Sequence, residues 1–273
     1  MASFSSKAKE RGQKIAFVPT MGALHEGHLS LVTAAKSKGA VTVVSIFVNP
    51  IQFGPKEDLS RYPRNFNADK DKLKHFDPVV IFYPRAESMY PSGFKTSVEV
   101  PDLADKLCGK FRPGHFKGVA TVVAKLFNIV SPDYAFFGEK DYQQQVIIKK
   151  MAKDLNYGIE IISIPTVREY DGLAMSSRNA YLSPEDRKSA AVLYRALCQG
   201  KKLVESGIKE PNKIVTAMTE IIGSVPLIRI EYLSIVDPET LEDKKPLSGP
   251  VLIAAAVWLG KTRLIDNITV KAK

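Results

Sequence analysis

Two histidines three positions apart, His25 and His28, flank Glu26 and Gly27 in the stretch FVPTMGALHEGHLSLV, and the chain holds only four histidines. If a helix has begun by His25, both imidazoles lie on one face and can serve one ligand. Gly22 lets the chain turn before them. Gly27 removes a side chain where a ligand would lie against the backbone. Further clusters carry polar chemistry. FVNPIQF places two amides, Asn49 and Gln52, which can position a carboxylate without holding its charge as a bidentate guanidinium would; taken alone, turn chemistry around Asn-Pro is the plainer reading. FFGEKDYQQQ places Lys140, a flexible phosphate ligand, beside Asp141, with Gln144 three residues on. Asp141 reads as a ribose ligand or as a helix cap. In MSSRN the hydroxyls of Ser176 and Ser177 and the guanidinium of Arg178 can hold polyphosphate oxygens, and an ST-type turn is the plainer alternative. FRPGHFKGVAT sets Arg112, His115 and Lys117 beside two glycines, as a lobe facing anionic substrates or as an exposed basic loop.

These residues fall where strands are expected to end. Apolar, β-branched runs at 15–20, 41–48, 79–83, 134–137 and 159–164 read as strands, and 41–48 (VTVVSIFV) suits a strand buried on both faces. Helices are expected over 28–38, 67–75, 118–130 and 141–155. Strands alternating with helices predict an α/β fold with a parallel sheet and helices on its faces. Such sheets bind ligands at the carboxyl ends of their strands, and a helix start there offers unpaired N–H groups to a phosphate. The pattern changes near Thr166. Ser183 as N-cap, Pro184 at the first helical position and acids behind them open one long helix running to about Val204. A helix over 211–222 and strands over 228–236, 251–259 and 263–270, with LSGP as a turn, complete a smaller α+β unit. We therefore expect domains over 1–166 and 167–273.

Composition excludes several classes. With 45% apolar and 25% charged residues the chain is an ordinary globular protein. No apolar run is long enough to span a membrane, and the first residues carry no secretory h-region. Two cysteines exclude a disulfide framework or a four-cysteine zinc site, and point to the cytoplasm. No cysteine or third histidine accompanies His25 and His28, which argues against zinc. The stretch is not a P-loop. A net charge of +10 suits an anionic partner; a solvated lysine-rich surface is the plainer reading, because no block of five like charges occurs.

HEGH resembles the HxGH signature of adenylate-forming nucleotidyltransferases and class I aminoacyl-tRNA synthetases. Together with SIFVNPIQF, RYPR, RPGHFKGV, FFGEKDYQQ, DGLAMSSRN and IEYLSIVDPETL, it makes the chain similar to the pantoate–β-alanine ligases. The resemblance implies a Rossmann-like first domain and a homodimer. It implies ATP-dependent joining of (R)-pantoate and β-alanine through a pantoyl adenylate, with Mg²⁺, and with neither nucleic acid nor membrane as partner. His28, His25, Lys140 and Arg178 inherit the catalytic positions. Met21, Gly22, Gly27, Gly138, Glu139, Asp141, Val167, Met175, Ser176 and Ser177 complete the ATP site. Pro19, Met21, Asn49, Gln52, Arg112, His115 and Gln144 inherit the pantoate and β-alanine site. Asp69 becomes a candidate for orienting magnesium, although an aspartate at a helix start is usually a dipole partner.

The segment 53–68 is long, polar and marked by Gly and Pro, which predicts a gate over the site. The chain before Phe17 is short for the family, whose members usually carry a further strand and helix there, so the expectation is either a trimmed chain or a different sheet edge. Two rivals differ in kind. One is a nucleotidyltransferase acting on a phosphorylated alcohol or amine, against which Gln52, Gln144 and MSSR argue. The other is an RNA-binding module, for which no stacking motif is present.

Overall fold

The apolar runs read as strands form a parallel sheet. The computed structural model describes residues 1–55 and 57–273. The chain divides into two units. The first comprises Met1–Asp105, Phe111–Glu139 and Gln144–Pro165, and the second comprises Lys106–Lys110, Lys140–Gln143 and Thr166–Lys273.

In chain order the elements up to Pro165 are α1 (Ala2–Glu10), β1 (Ile15–Thr20), α2 (Glu26–Ser37), β2 (Val41–Ile46), α3 (Phe66–Leu73), β3 (Val80–Phe82), α4 (Ala86–Met89), α5 (Cys108–Phe111), α6 (His115–Val130), β4 (Tyr134–Gly138), α7 (Tyr142–Asp154) and β5 (Glu160–Ile164). The strands pair in the order β3-β2-β1-β4-β5, all parallel, which is a Rossmann-like sheet. Strand order reverses between β1 and β4, so the crevice at their carboxyl ends is the expected ligand position. β1 is buried along its length except at Pro19, as a central strand covered on both faces must be. Ala16 and Val18 of β1 pack with Leu31, Val32 and Ala35 of α2 and with Val44, Ile46 and Phe136. Each large aliphatic side chain buried in this way contributes about 1.5–3 kcal/mol. α6 covers the opposite face and buries Val119, Val122, Val123, Leu126 and Phe127.

The second unit holds α8 (Pro184–Ala190), α9 (Val192–Glu205), α10 (Pro211–Gly223), β6 (Ile228–Val236), β7 (Gly249–Leu259) and β8 (Thr262–Ala272). Its strands form an antiparallel sheet in the order β6-β7-β8. Val251, Ile253, Ala255 and Val257 alternate onto the face covered by Leu193, Leu197, Ile214, Met218 and Ile222 of α9 and α10.

Several expectations need correction. α1 was not foreseen. The long helix from Pro184 breaks at Ala191, whose ψ of −12° closes α8; neither glycine nor proline marks the break. α6 begins at His115, three residues early, because Gly114 at a φ of 77° is its cap. The run after Val41 leaves the sheet at Ile46. In LSGP, Gly249 and Pro250 already belong to β7, opposite Ala272 and Lys271.

Candidate functional site

The turn from β1 to α2 is built to present two imidazoles. Gly22 has a φ of 82° and Ala23, unusually for a residue with a side chain, one of 49°. Asp69 of α3 holds this turn. Its buried carboxylate accepts the Ala23 N–H at 2.9 Å and the Leu24 N–H at 2.7 Å. A Cβ on Gly22 would lie 2.9 Å from Asp69 Oδ2, so only glycine fits beneath the carboxylate. Lys72, one turn further along α3, donates to the Leu24 carbonyl at 2.5 Å.

His25 does not lie in the helix. It is the extended N-cap of α2, and its Nδ1 accepts the Gly27 N–H at 3.2 Å. His28 reaches back, and its Nδ1 accepts the His25 N–H at 3.3 Å. This is a reciprocal capping box with two imidazoles in place of the usual hydroxyl and carboxylate. Because each Nδ1 accepts, the proton of each neutral ring sits on Nε2. The rings are 4.1 Å apart and half-buried. The spacing expected to place both on one helical face brings them together through the cap instead. Both can donate from Nε2 at the positive end of α2.

Two amides stand at the carboxyl end of β2, the neighbour of β1. Asn49 is 1% exposed and saturated: its Nδ2 donates to Gln52 Oε1 at 2.9 Å and to the Gly118 carbonyl at 3.1 Å. Its Oδ1 accepts from the Tyr90 hydroxyl at 2.7 Å. Burial pushes the Tyr90 phenol well above its ordinary range, which keeps it a donor. Gln52 Nε2 lies 3.3 Å from Met21 Sδ, which brings the β1 and β2 turns together. Pro19 sits within β1, opposite Ser45 in register.

Arg112 and His115 stand behind Gln52. Arg112 forks onto the Glu57 carboxylate with two bonds of 2.7 Å. Its remaining terminal nitrogen meets His115 Nε2 at 2.9 Å, and His115 Nδ1 meets the Gln52 carbonyl at 2.8 Å. A guanidinium only donates and a carbonyl only accepts, so the His115 proton is on Nδ1, opposite to His25 and His28. Burial alone would raise the Glu57 carboxyl, but the hydrogen bonds and charge of Arg112 prevail and hold it below its ordinary range. Glu57 belongs to the segment expected to gate the site; Lys56 of that segment lies outside the described residues. Tyr62 of the same segment is buried and meets Phe53 edge-on, and Asn65 caps α3.

Gly138 ends β4, a short turn over Glu139–Asp141 follows, and α7 then begins, with Gln144 half-buried in its first turn.

In the second unit, Val167 and Met175 join across a small hairpin, the Met175 N–H donating to the Val167 carbonyl at 3.0 Å. Ser176 Oγ accepts the Arg178 N–H at 3.3 Å and caps the turn Ser177–Tyr181. The ST-type turn is therefore present, and the hydroxyl keeps its own proton to donate. Asn179 Nδ2 ties this turn to Glu169 at 2.9 Å and to the Ala174 carbonyl at 3.2 Å. Arg187 clamps the hairpin through Asp171 at 2.6 Å and Glu169 at 2.5 Å. Its hydrogen bonds hold the Asp171 carboxyl below the ordinary range. Two β8 residues that the sequence did not single out anchor the unit's polar elements. Asp266, 3% exposed, forks onto Arg168 at 2.6 and 3.0 Å. Asn267 Nδ2 donates to the Lys140 carbonyl at 2.9 Å. The only signal for them was a polar pair interrupting the alternation of LIDNITV.

Among the described residues no group of three His, Cys, Asp or Glu side chains converges to hold a metal. Each Asp69 oxygen accepts one backbone N–H of the turn. Mg²⁺ is a hard cation that ordinarily keeps waters and substrate phosphate oxygens as ligands. Among the described residues no helix is long and apolar enough to cross a membrane.

A family model described as pantoate-beta-alanine ligase matches residues 1–269. A pantothenate synthetase of Caldicellulosiruptor bescii is 56% identical over 273 residues, covering 100% of this chain and 97% of that protein. A pantothenate synthetase of Moorella thermoacetica is 52% identical over 98% of this chain and 95% of its own length. The crystal structure of the pantothenate synthetase from Thermus thermophilus is similar with a TM-score of 0.92 and 46% identity, over 97% of this chain and 96% of that one. A pantoate-beta-alanine ligase from Francisella tularensis, complexed with beta-gamma ATP and beta-alanine, has a TM-score of 0.79 and 37% identity, over 97% and 94% of the two chains.

Proposed function

Because the chain belongs to the pantoate–β-alanine ligase family, we propose that it joins (R)-pantoate to β-alanine at the expense of ATP, giving pantothenate, AMP and pyrophosphate. The observation that carries the reading is the paired-histidine cap of α2 at the carboxyl end of β1, beside the amide pair at the end of β2.

In this proposal the pantoate carboxylate attacks the α-phosphorus of ATP in line, and pyrophosphate leaves. The carboxylate is ionised at neutral pH, so the step needs no general base. It needs positioning, and donors aimed where charge builds on the phosphate. His28 and His25 supply Nε2–H donors, and the start of α2 with Gly22 and Gly27 supplies the positive end of the helix. Lys140, Arg178, Ser176 and Ser177 hold the phosphates. Gly138, Glu139 and Asp141 contact the nucleotide, and Val167 and Met175 flank the adenine. Gln52 and Gln144 hold pantoate against Met21 and Pro19, with Asn49 fixing the Gln52 amide. Mg²⁺ is held mainly through the ATP phosphates, with Asp69 as the candidate to orient it. The neutral amine of β-alanine then attacks the acyl carbon of the pantoyl adenylate, and AMP departs with one former carboxylate oxygen. The segment 53–68 gates the site. The chain acts as a cytoplasmic homodimer, with no nucleic acid or membrane partner.

The test is to supply ATP, Mg²⁺ and pantoate labelled with ¹⁸O in its carboxylate, with and without β-alanine, and to weigh the products. Pantothenate with one ¹⁸O in AMP supports the full sequence. Label in inorganic phosphate, with ADP, would replace the adenylate by an acyl phosphate. No pantothenate from folded protein would sink the substrate assignment. His28→Ala run alongside should lose turnover on the order of 10²–10³-fold.

A further inference from the structure

We propose that Glu57 is a positioning residue for the acid substrate, acting through Arg112 and His115 on Gln52. The inference rests on the assignment of Gln52 to pantoate.

The basis is a continuous chain of directional bonds. Glu57 takes the Nε and one terminal nitrogen of Arg112 at 2.7 Å each. This is the fork geometry that fixes the plane of a guanidinium. With that plane set, the other terminal nitrogen faces His115 Nε2 at 2.9 Å. Donation from Arg112 forces the His115 proton onto Nδ1, which donates to the Gln52 carbonyl at 2.8 Å. The Gln52 peptide is held from one side, while Asn49 holds the Gln52 side-chain oxygen from the other. The Gln52 backbone is thus held by His115 and its side-chain amide by Asn49 and Met21. The Arg112 and Glu57 side chains are 15% and 25% exposed, so solvent screens the pair only partly.

Arg112 therefore does not offer its fork to a substrate carboxylate while Glu57 occupies it. Its positive charge is spent on an internal carboxylate, and substrate is left to the uncharged amide. That arrangement suits a carboxylate which must remain nucleophilic. A guanidinium clamped on pantoate would withdraw the charge the reaction uses.

The experiment uses the full chain with Glu57→Gln, Arg112→Gln and the double variant. KM and kcat are measured with pantoate, ATP and β-alanine varied in turn. The histidine ring nitrogens of the same proteins are observed by ¹⁵N NMR without substrates. Glu57→Gln is expected to raise the pantoate KM about tenfold, as loss of a charge-assisted pair does, and to leave the ATP KM within about twofold. Adding Glu57→Gln to Arg112→Gln should change the pantoate KM by less than about twofold, since the pair acts in series. In the wild type His115 shows a protonated Nδ1 and an accepting Nε2, and in Glu57→Gln its Nε2 resonance moves while that of exposed His75 stays. Unchanged His115 resonances, an equal rise in the pantoate and ATP KM, or an additive double variant would each overturn the proposal. The NMR arm needs no substrate, so absence of pantothenate from the wild type would defeat the substrate reading and leave the Glu57 linkage separately tested.

Discussion

Replacing Gly118 by alanine tests whether the closeness of α6 to the amide pocket matters for catalysis. A Cβ built on Gly118 would lie 2.5 Å from the Ile51 carbonyl oxygen, 2.6 Å from Gln52 Cα and 2.8 Å from Gln52 N. All three are backbone atoms and cannot rotate away. Ordinary contact begins at 3.4 Å, so the helix and the Pro50–Gln52 turn must part by about 0.9 Å. α6 cannot move easily, because its buried face is locked under the sheet. The displacement falls on Gln52. Alanine improves helix propensity by about 1 kcal/mol. Against that, overpacking costs about 1–3 kcal/mol. The bond from Asn49 to the Gly118 carbonyl, already 3.1 Å, is stretched or lost at about 0.5–1.5 kcal/mol. The losses win, and the protein should be destabilised by about 1–3 kcal/mol, read as a lower urea midpoint. The larger effect is kinetic: a misplacement near 1 Å costs on the order of 10² in rate. Steady-state turnover with pantoate varied should show that loss in kcat/KM, with ATP binding by the free enzyme unchanged. Wild-type kcat/KM for pantoate in a Gly118→Ala protein of known fold would refute the claim that this backbone approach sets the position of Gln52.

The cap at His25 separates stability from chemistry. His25→Ala should lose about 1 kcal/mol of stability and on the order of 10²–10³ in single-turnover rate, whereas His25→Asn keeps a good N-cap, restores the urea midpoint and leaves the rate low; a fast Asn variant would remove the imidazole from the chemistry. Asp171 gives a pH signature. Its carboxyl is held low by Arg187, so the folded state binds the proton less readily than the unfolded chain. The ion pair's stability is therefore fully present above the ordinary carboxylate range of about pH 4 and is lost as pH falls through the depressed folded value. The urea midpoints of wild type and Asp171→Asn should differ at pH 7 and converge in acid, and a gap that widens in acid would reverse the assignment.

What could be read from the sequence divides by the range of the physics involved. The strands were legible because β-branched runs such as VTVVSI carry their burial in their own composition, and the Ser183–Pro184 cap because it is local chemistry. The two histidines were legible as a pair, but not as a capping box, since that depends on His25 being extended, and the extended state depends on Asp69, more than forty residues away, gripping Ala23 and Leu24. Arg112 and His115 stood out as cations near glycines. Their true environment is set by Glu57, fifty-five residues earlier, and by the carbonyl of Gln52. Gly118 read as a helix start, while its service is to let Ile51 and Gln52 come within contact distance. Asp266 and Asn267 were not singled out, and they anchor Arg168 and the Lys140 backbone. In each case the side chain read as meeting the ligand advertised itself by type and spacing. The group that aims it did not, because a carboxylate or a glycine far along the chain acquires meaning only from the partner that folding brings to it. Glu57 and Gly118, which aim Gln52, are therefore where substitutions should act on pantoate and spare the binding of ATP.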